Sequence, residues 1–170
     1  MQGGGESIKA IAIVDENWAI GANGDQPIKI PEDFRYFRYQ VRGKVIVMGR
    51  VTLETLPDGL PLKDCINIIL TKNAKFKIFG ASVCNSFEGL MNCLKGFSME
   101  DIFVVGGQQV YSLLLPFCDT AYITKVFTKV KGTDRFFPDL DVLADWELVW
   151  QSDFKEYEGL RFCFCEYRRG

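Results

Sequence analysis

The sequence predicts an α/β fold: one domain built on a single, mostly parallel central sheet with flanking helices, closed by an antiparallel C-terminal hairpin. Three observations predict it. Short apolar runs bounded by turn residues alternate with helical segments along most of the chain. The tail breaks that alternation with two strand-like segments joined through Glu158-Gly159. The length, 170 residues, is that of one domain able to bury a single core.

The elements follow in order. Residues 8–14 read as a buried strand, and residues 15–31 as a long polar loop rich in Gly, Asn, Asp and Pro. A loop of that length is usually functional. Pro31-Glu32-Asp33 opens a helix running to about Val41, with Pro near the first helical position and acids in the first turn, where the helix dipole favours them. Residues 44–48 form a strand, Gly49-Arg50 a turn and residues 51–56 a short helix. The strands then expected are residues 66–70, 102–105 and 122–127, and the helices residues 87–94 and 108–115. Residues 146–154 and 160–167 form the hairpin at the sheet edge. Residues 1–7, with three consecutive glycines, read as a flexible leader before a domain spanning residues 8–170.

Composition narrows the function classes. Lys plus Arg gives 20 and Asp plus Glu 22, a net charge of −2 with no block of like charge, which argues against nucleic acid as a partner. The longest apolar runs are strand-sized, far below the roughly 20 residues that span a bilayer, so no membrane segment is expected. The six cysteines form no Cys-x-x-Cys pair; Cys163 and Cys165 share one face of a strand, as buried thiols commonly do. A cytoplasmic protein with reduced thiols is expected. The chain has no histidine, which removes Ser-His and Cys-His nucleophile pairs, the usual zinc ligands and the commonest proton-transfer group. No metal site is expected, and acid–base work falls to carboxylates, tyrosines, lysines or water.

In an open α/β sheet, ligands lie beyond the carboxyl ends of the strands, where helix N-termini present free N–H groups. Three strand ends here carry suitable chemistry. Gly49-Arg50 and Thr71-Lys72 supply cations and a hydroxyl, and Gly106-Gly107 before Gln108 lets backbone approach a pyrophosphate. Singly each is weak, since a Gly-Gly after a strand is more often a plain turn. Together they fit a phosphorylated dinucleotide, without the Gly-x-Gly-x-x-Gly of Rossmann enzymes. Asp33 flanks the apolar stripe of Phe34, Phe37 and Val41. Two readings stay open for it: a first-turn acid stabilising its helix, or a carboxylate facing an apolar pocket and accepting paired hydrogen bonds from an amidine-like ring edge.

These motifs recur as a set. Trp18-Ala19-Ile20-Gly21, the loop reaching Pro27, Ile30-Pro31-Glu32-Asp33-Phe34-x-x-Phe37, Val47-Met48-Gly49-Arg50-x-Thr52, Asn67-Ile68-Ile69-Leu70-Thr71, Val105-Gly106-Gly107-x-x-Val110-Tyr111 and Phe136-Phe137-Pro138 stand in the order and approximate spacing of dihydrofolate reductases. From Ile8 nearly to its C-terminus the chain resembles that family. The resemblance implies NADPH-dependent reduction of 7,8-dihydrofolate to tetrahydrofolate, with hydride transfer to the pterin and a solvent-supplied proton at N5. It implies that Asp33, assisted by Thr124, binds the pterin N3 and 2-amino group. Ile11, Ile13, Ile28, Phe34, Phe37 and Leu56 would wall the substrate. Ile13 and Ile20 would hold the nicotinamide carboxamide through backbone bonds, beside Tyr111. Gly49, Arg50, Thr52, Thr71, Lys72, Val105, Gly106, Gly107 and Gln108 would line the rest of the cofactor, with the Gly106-Gly107 peptide cis, and residues 15–31 would close over the nicotinamide. A monomer binding dihydrofolate and antifolate inhibitors is expected.

Two departures stand out. Many bacterial members carry Met and Trp where this chain has Gln26 and Ile28, so one indole hydrogen bond is lost. Two residues before Asn67 the family normally has an Arg that pairs with the folate α-carboxylate; here it is Cys65, with Lys63 or Arg38 as candidate substitutes. Two rival readings are a pyrimidine reductase of riboflavin synthesis, disfavoured by the Pro-Glu-Asp-Phe helix start, and a non-catalytic nucleotide-binding module, which has no need of Asp33, Phe37 and Thr124 together.

Overall fold

The computed structural model describes residues 7–170; the leader expected over residues 1–7 falls, apart from Ser7, outside the described residues. β1 (Ile8–Val14) lies mid-sheet, paired in parallel with β6 (Ile102–Gly106) and β7 (Cys118–Val126). β6 pairs β3 (Val45–Gly49), β3 pairs β4 (Ile66–Leu70), and β4 pairs β5 (Ala81–Cys84), all in parallel. On the other side β11 (Leu160–Arg169) runs antiparallel to β7, and both β9 (Trp146–Gln151) and β10 (Lys155–Tyr157) pair antiparallel with β11. The predicted class therefore holds: a largely parallel sheet with an antiparallel C-terminal edge.

Alternation along the strands assigns the two faces. Ile8, Ala10 and Val14 of β1 join Val45, Val47, Ile102 and Val104 in one buried cluster, under α3 (Phe87–Leu94) and α4 (Gln108–Leu114). Ile11 joins Ile46, Met48, Ile69 and Phe103 in a second cluster, under α1 (Pro31–Val41) and α2 (Arg50–Thr55). Helices thus cover both faces, as parallel strands buried on both sides require.

Several boundaries move, each for a local reason. The helix expected over 51–56 starts at Arg50 and ends at Thr55, because Pro57 favours extended backbone at Leu56. α4 passes at Leu115 into a single 3-10 turn containing Pro116. β7 begins at Cys118, four residues before the expected start, and pairs with β1 from there to Lys125 with one register shift between Ile8 and Lys9. The strand expected over 146–154 divides into β9 and β10: Ser152 leaves the ladder line, its Oγ accepting the Phe164 N–H at 2.9 Å while its own N–H donates to the Phe164 carbonyl at 2.8 Å. Glu158 and Gly159, at φ 48° and 81°, then make the two-residue turn into β11. The loop expected over 15–31 holds a strand, β2 (Ala19–Gly21), paired with the two-residue β8 (Arg135–Phe136). No helix among the described residues is long and apolar enough to cross a membrane.

Candidate active site

Two clefts open at the carboxyl ends of the parallel strands. The first, a cavity of about 520 Å³, lies between β1, α1 and α2. Ile11, Ile13, Ile28, Phe34, Phe37 and Leu56 line it, with Asp33 among them. α1 aims Asp33 because Pro31 starts the helix with no side-chain cap, placing Asp33 in its first turn. Tyr36, stacked on Phe164 of β11 with ring centroids 4.1 Å apart, holds that turn against the sheet.

Thr124, buried at the far end of β7, donates its hydroxyl to Asp33 Oδ1 at 2.6 Å. Oδ2 takes no hydrogen bond from a described residue and is left for the cleft. Burial disfavours the charged carboxylate and outweighs the Thr124 hydrogen bond, so the Asp33 pKa is pushed up to about 6. At neutral pH the group is largely ionised, yet a partner offering two N–H donors would be strongly favoured there.

Tyr111 lines both clefts, and its hydroxyl donates to the Ile11 carbonyl. Complete burial pushes its ionisation far upward, so it acts here as a neutral ring and donor. Ile13, Gln26, Thr52, Thr55 and Val105 also border both cavities, so the two clefts meet beside Asp33 and Tyr111.

The second cleft, about 850 Å³, is lined by all twelve residues that the family resemblance implies for the cofactor: Ile13, Ile20, Gly49, Arg50, Thr52, Thr71, Lys72, Val105, Gly106, Gly107, Gln108 and Tyr111. Gly106-Gly107 is a cis peptide. Gly106 has φ +130°, and a Cβ there would stand 3.0 Å from Thr52 Oγ1, so only glycine lets backbone form this floor. That cradle, the first-turn N–H groups of α2 and α4, two cations and the Thr71 hydroxyl fit the phosphates of a dinucleotide. Gln108 Oε1 accepts the Phe136 N–H at 2.7 Å, tying α4 to β8 and through it to β2.

Two of the expected residues lie elsewhere. Lys63 is exposed and does not line the first cleft. Arg38, also absent from the lining, donates to Asp64 Oδ2 at 3.1 Å. Asn67 explains the local path: buried, it accepts the Leu62 N–H and donates to the Leu62 and Cys65 carbonyls, fixing residues 62–65. Cys65 then turns its thiol to the Val41 carbonyl at 3.3 Å, where burial pushes its pKa up to about 11.

Sequence reasoning did not anticipate Lys29 and Tyr157 in the first cleft or Asn85, Ser86, Phe87 and Arg135 in the second. Asn85-Ser86 had a readable signal, a polar pair before a helix, with Ser86 capping α3 by accepting the Gly89 N–H at 3.0 Å. The strand before it, Ala81-Ser82-Val83-Cys84, is too polar and too short to mark a strand end there. Tyr157 and Arg135 arrive from distant strands and leave no local mark.

Comparison with known proteins agrees with this geometry. The profile of the family described as dihydrofolate reductase matches residues 7–169. The chain is 37% identical over 161 residues to the dihydrofolate reductase of Neisseria gonorrhoeae, covering 94% of this chain and 96% of that one. It is 36% identical over 142 residues to that of Bacillus subtilis, covering 84% and 81%. The structure of Enterococcus faecalis dihydrofolate reductase complexed with NADP(H) and RAB-propyl superposes with a TM-score of 0.84, at 29% identity and 98% coverage of both chains. The chain belongs to the dihydrofolate reductase family, and it is an oxidoreductase that reduces dihydrofolate with NADPH.

Proposed function

We propose that the 520 Å³ cleft holds the dihydropterin and the larger one the NADPH, so that the two rings meet between Ile13, Val105 and Tyr111. The observation that carries this reading is Asp33, the one carboxylate in a largely apolar cavity, hydrogen-bonded to Thr124 where that cavity opens into the larger cleft. When bound, NADPH supplies the hydride. The chain supplies orientation. Asp33 receives the N3 and 2-amino hydrogens of the pterin, Thr124 holds the carboxylate in place, and Phe34, Phe37, Ile28 and Leu56 flank the ring and its benzoyl arm. The backbone of Ile13 and Ile20 grips the nicotinamide carboxamide. Thr52, Gly106 and Gly107 receive the pyrophosphate, and Arg50, Thr71 and Lys72 the outer phosphate. No second ionisable carboxyl lines the first cleft, so the proton for pterin N5 comes from solvent through water.

The proposed working unit is a monomer. The six cysteines are thiols, four of them buried, which suits the reducing cytoplasm. Antifolate inhibitors are expected to occupy the dihydropterin cleft. The test is loss of NADPH absorbance on adding 7,8-dihydrofolate, with tetrahydrofolate identified as product. Absence of dihydrofolate-dependent NADPH oxidation by the folded chain would reject the reading.

A further inference from the structure

β2 is too small to hold itself. Its three residues pair only with a two-residue strand, and an isolated ribbon of that size is unstable in water. Yet Ile20 of β2 borders the large cleft, so whatever seats β2 also shapes one wall of it. Asp15 holds the first residue of β2, accepting the Ala19 N–H on Oδ1 at 2.9 Å and donating its own N–H to the Ala19 carbonyl at 3.2 Å, and a second seat is Trp18, the residue immediately before the strand. Trp18 is buried and held at φ 60°, a left-handed conformation that a bulky residue adopts only when its surroundings impose it. Its carbonyl accepts the Phe137 N–H at 2.8 Å, and its ring stacks on Phe137 and meets the edge of Tyr167 at 5.9 Å. Phe137 in turn packs against Tyr111, with centroids 4.6 Å apart. An aromatic column therefore runs from Tyr167 through Trp18 to the junction of the two clefts.

A cation caps the outer end of this column. Lys125 follows Thr124 in β7, so its side chain leaves the sheet on the face opposite to the one carrying the Thr124–Asp33 bond. Its Nζ lies 5.3 Å from the Trp18 ring centre and 5.5 Å from that of Tyr167. The Asp141 carboxylate holds it there, with Oδ2 at 2.6 Å from Nζ and Oδ1 accepting the Tyr167 hydroxyl at 2.7 Å. The Lys125 side chain is 23% exposed, so its cation is partly withdrawn from water, where it gains more from an aromatic face. Removing it leaves Trp18 with an unbalanced carboxylate and a gap on one side of its ring.

We propose that Lys125, clamped by Asp141 and Tyr167 against Trp18, is a positioning residue that seats β2 and thereby sets the grip of the enzyme on the nicotinamide half of its cofactor. This rests on the reading that the nicotinamide lies against Ile20. The proposal separates the two halves of NADPH, because the adenosine end lies on α2, α3 and β4, which Lys125 does not touch. Dissociation constants are measured for NADPH and for 2′,5′-ADP, which lacks the nicotinamide, with Lys125→Met and Lys125→Arg. The Met variant is expected to bind NADPH about five- to tenfold more weakly, on the scale of one partly desolvated cation–π contact, with 2′,5′-ADP affinity unchanged. The Arg variant should restore NADPH binding. Equal weakening of both ligands, or unchanged NADPH affinity, overturns the proposal. Should the Met variant not be recovered folded, Asp141→Asn removes the clamp from a half-exposed position and is judged by the same split. If the unaltered enzyme binds NADPH no more tightly than 2′,5′-ADP, it is the placement of the nicotinamide that fails instead.

Discussion

Asp33 shows how one residue trades stability for function. Its pKa is raised from 3.8 to about 6, so the folded state binds a proton more tightly than the unfolded chain does. Stability is therefore lost as pH rises between those two values, and the cost is complete above about pH 6. Asp33→Asn keeps the shape and can still accept the Thr124 hydroxyl. The variant should be more stable than the parent at pH 7.5, by on the order of 2 kcal/mol, with the difference vanishing near pH 4. Thermal melts at several pH values check this, and a variant less stable at neutral pH would show that the carboxylate is better solvated than its burial implies. Activity should move the other way. Turnover at neutral pH is expected to fall about a hundredfold or more, as when a positioned acid–base group is removed. NADPH affinity should stay near normal, and residual turnover should climb as pH falls, because dihydrofolate protonated in solution bypasses the missing group. Near-parental turnover at neutral pH would return Asp33 to the plain role of a first-turn acid.

At the scale of elements, the cofactor cleft is a row of strand ends, and the two cations on it are not equivalent. Arg50 is engaged by Glu54 at 3.2 Å and lies over the Phe76 ring, whereas Lys72 has no ion-pair partner among the described residues. A 2′-phosphate would therefore gain more from Lys72, each well-formed charge-assisted hydrogen bond contributing roughly 1.5 to 3 kcal/mol. The NADPH over NADH preference should fall further in Lys72→Ala than in Arg50→Ala and largely disappear in the double variant; kcat/KM with both cofactors measures it, and a double variant as selective as the parent sinks the assignment. This row is legible because Gly49-Arg50 and Gly106-Gly107 each end a four-residue apolar run and Thr71-Lys72 ends Ile68-Ile69-Leu70, the pattern that buried parallel strands produce. β5, with the less apolar Ala81-Ser82-Val83-Cys84, gives no such run, so nothing in the sequence marks Asn85-Ser86 as a strand end. β2 and β8 are invisible for another reason: they exist only through each other, 114 residues apart between Gly21 and Arg135, and through the side chains that seat them.

The charge of the whole molecule bears on what the dihydropterin cleft selects. With a net charge of −2, the enzyme exerts no strong long-range pull on an anionic substrate, so recognition of a glutamate tail depends on cations near the cleft. Four of those cations already have a partner, and Lys63 is exposed outside the lining of the cleft. Arg38 and Arg42 share Asp64 at 3.1 and 3.5 Å, Lys29 is 3.5 Å from Asp25, and Lys155 is 3.3 Å from Glu32. Arg38 also leaves its Nε buried without a partner, so the guanidinium is committed to this corner without being fully satisfied. Cys65, where the family carries its tail-binding Arg, offers a thiol turned inward to the Val41 carbonyl. The enzyme should therefore discriminate weakly between dihydrofolate and dihydropterins that lack the tail. Cys65→Arg should raise the kcat/KM ratio of tailed to tail-less substrate, but only modestly, because Asp64 stands 3.7 Å from the Cys65 thiol and would capture the new guanidinium. Adding Asp64→Asn should release both Arg38 and the new Arg, lifting the ratio about tenfold at low salt, the scale of one charge-assisted pair. Because the site is partly exposed, that gain should shrink as ionic strength rises. Activity on the tail-less substrate should stay constant throughout, since no pterin contact changes. A ratio unmoved in the double variant, including a kcat/KM that rises equally for both substrates, would mean that this corner does not face the glutamate.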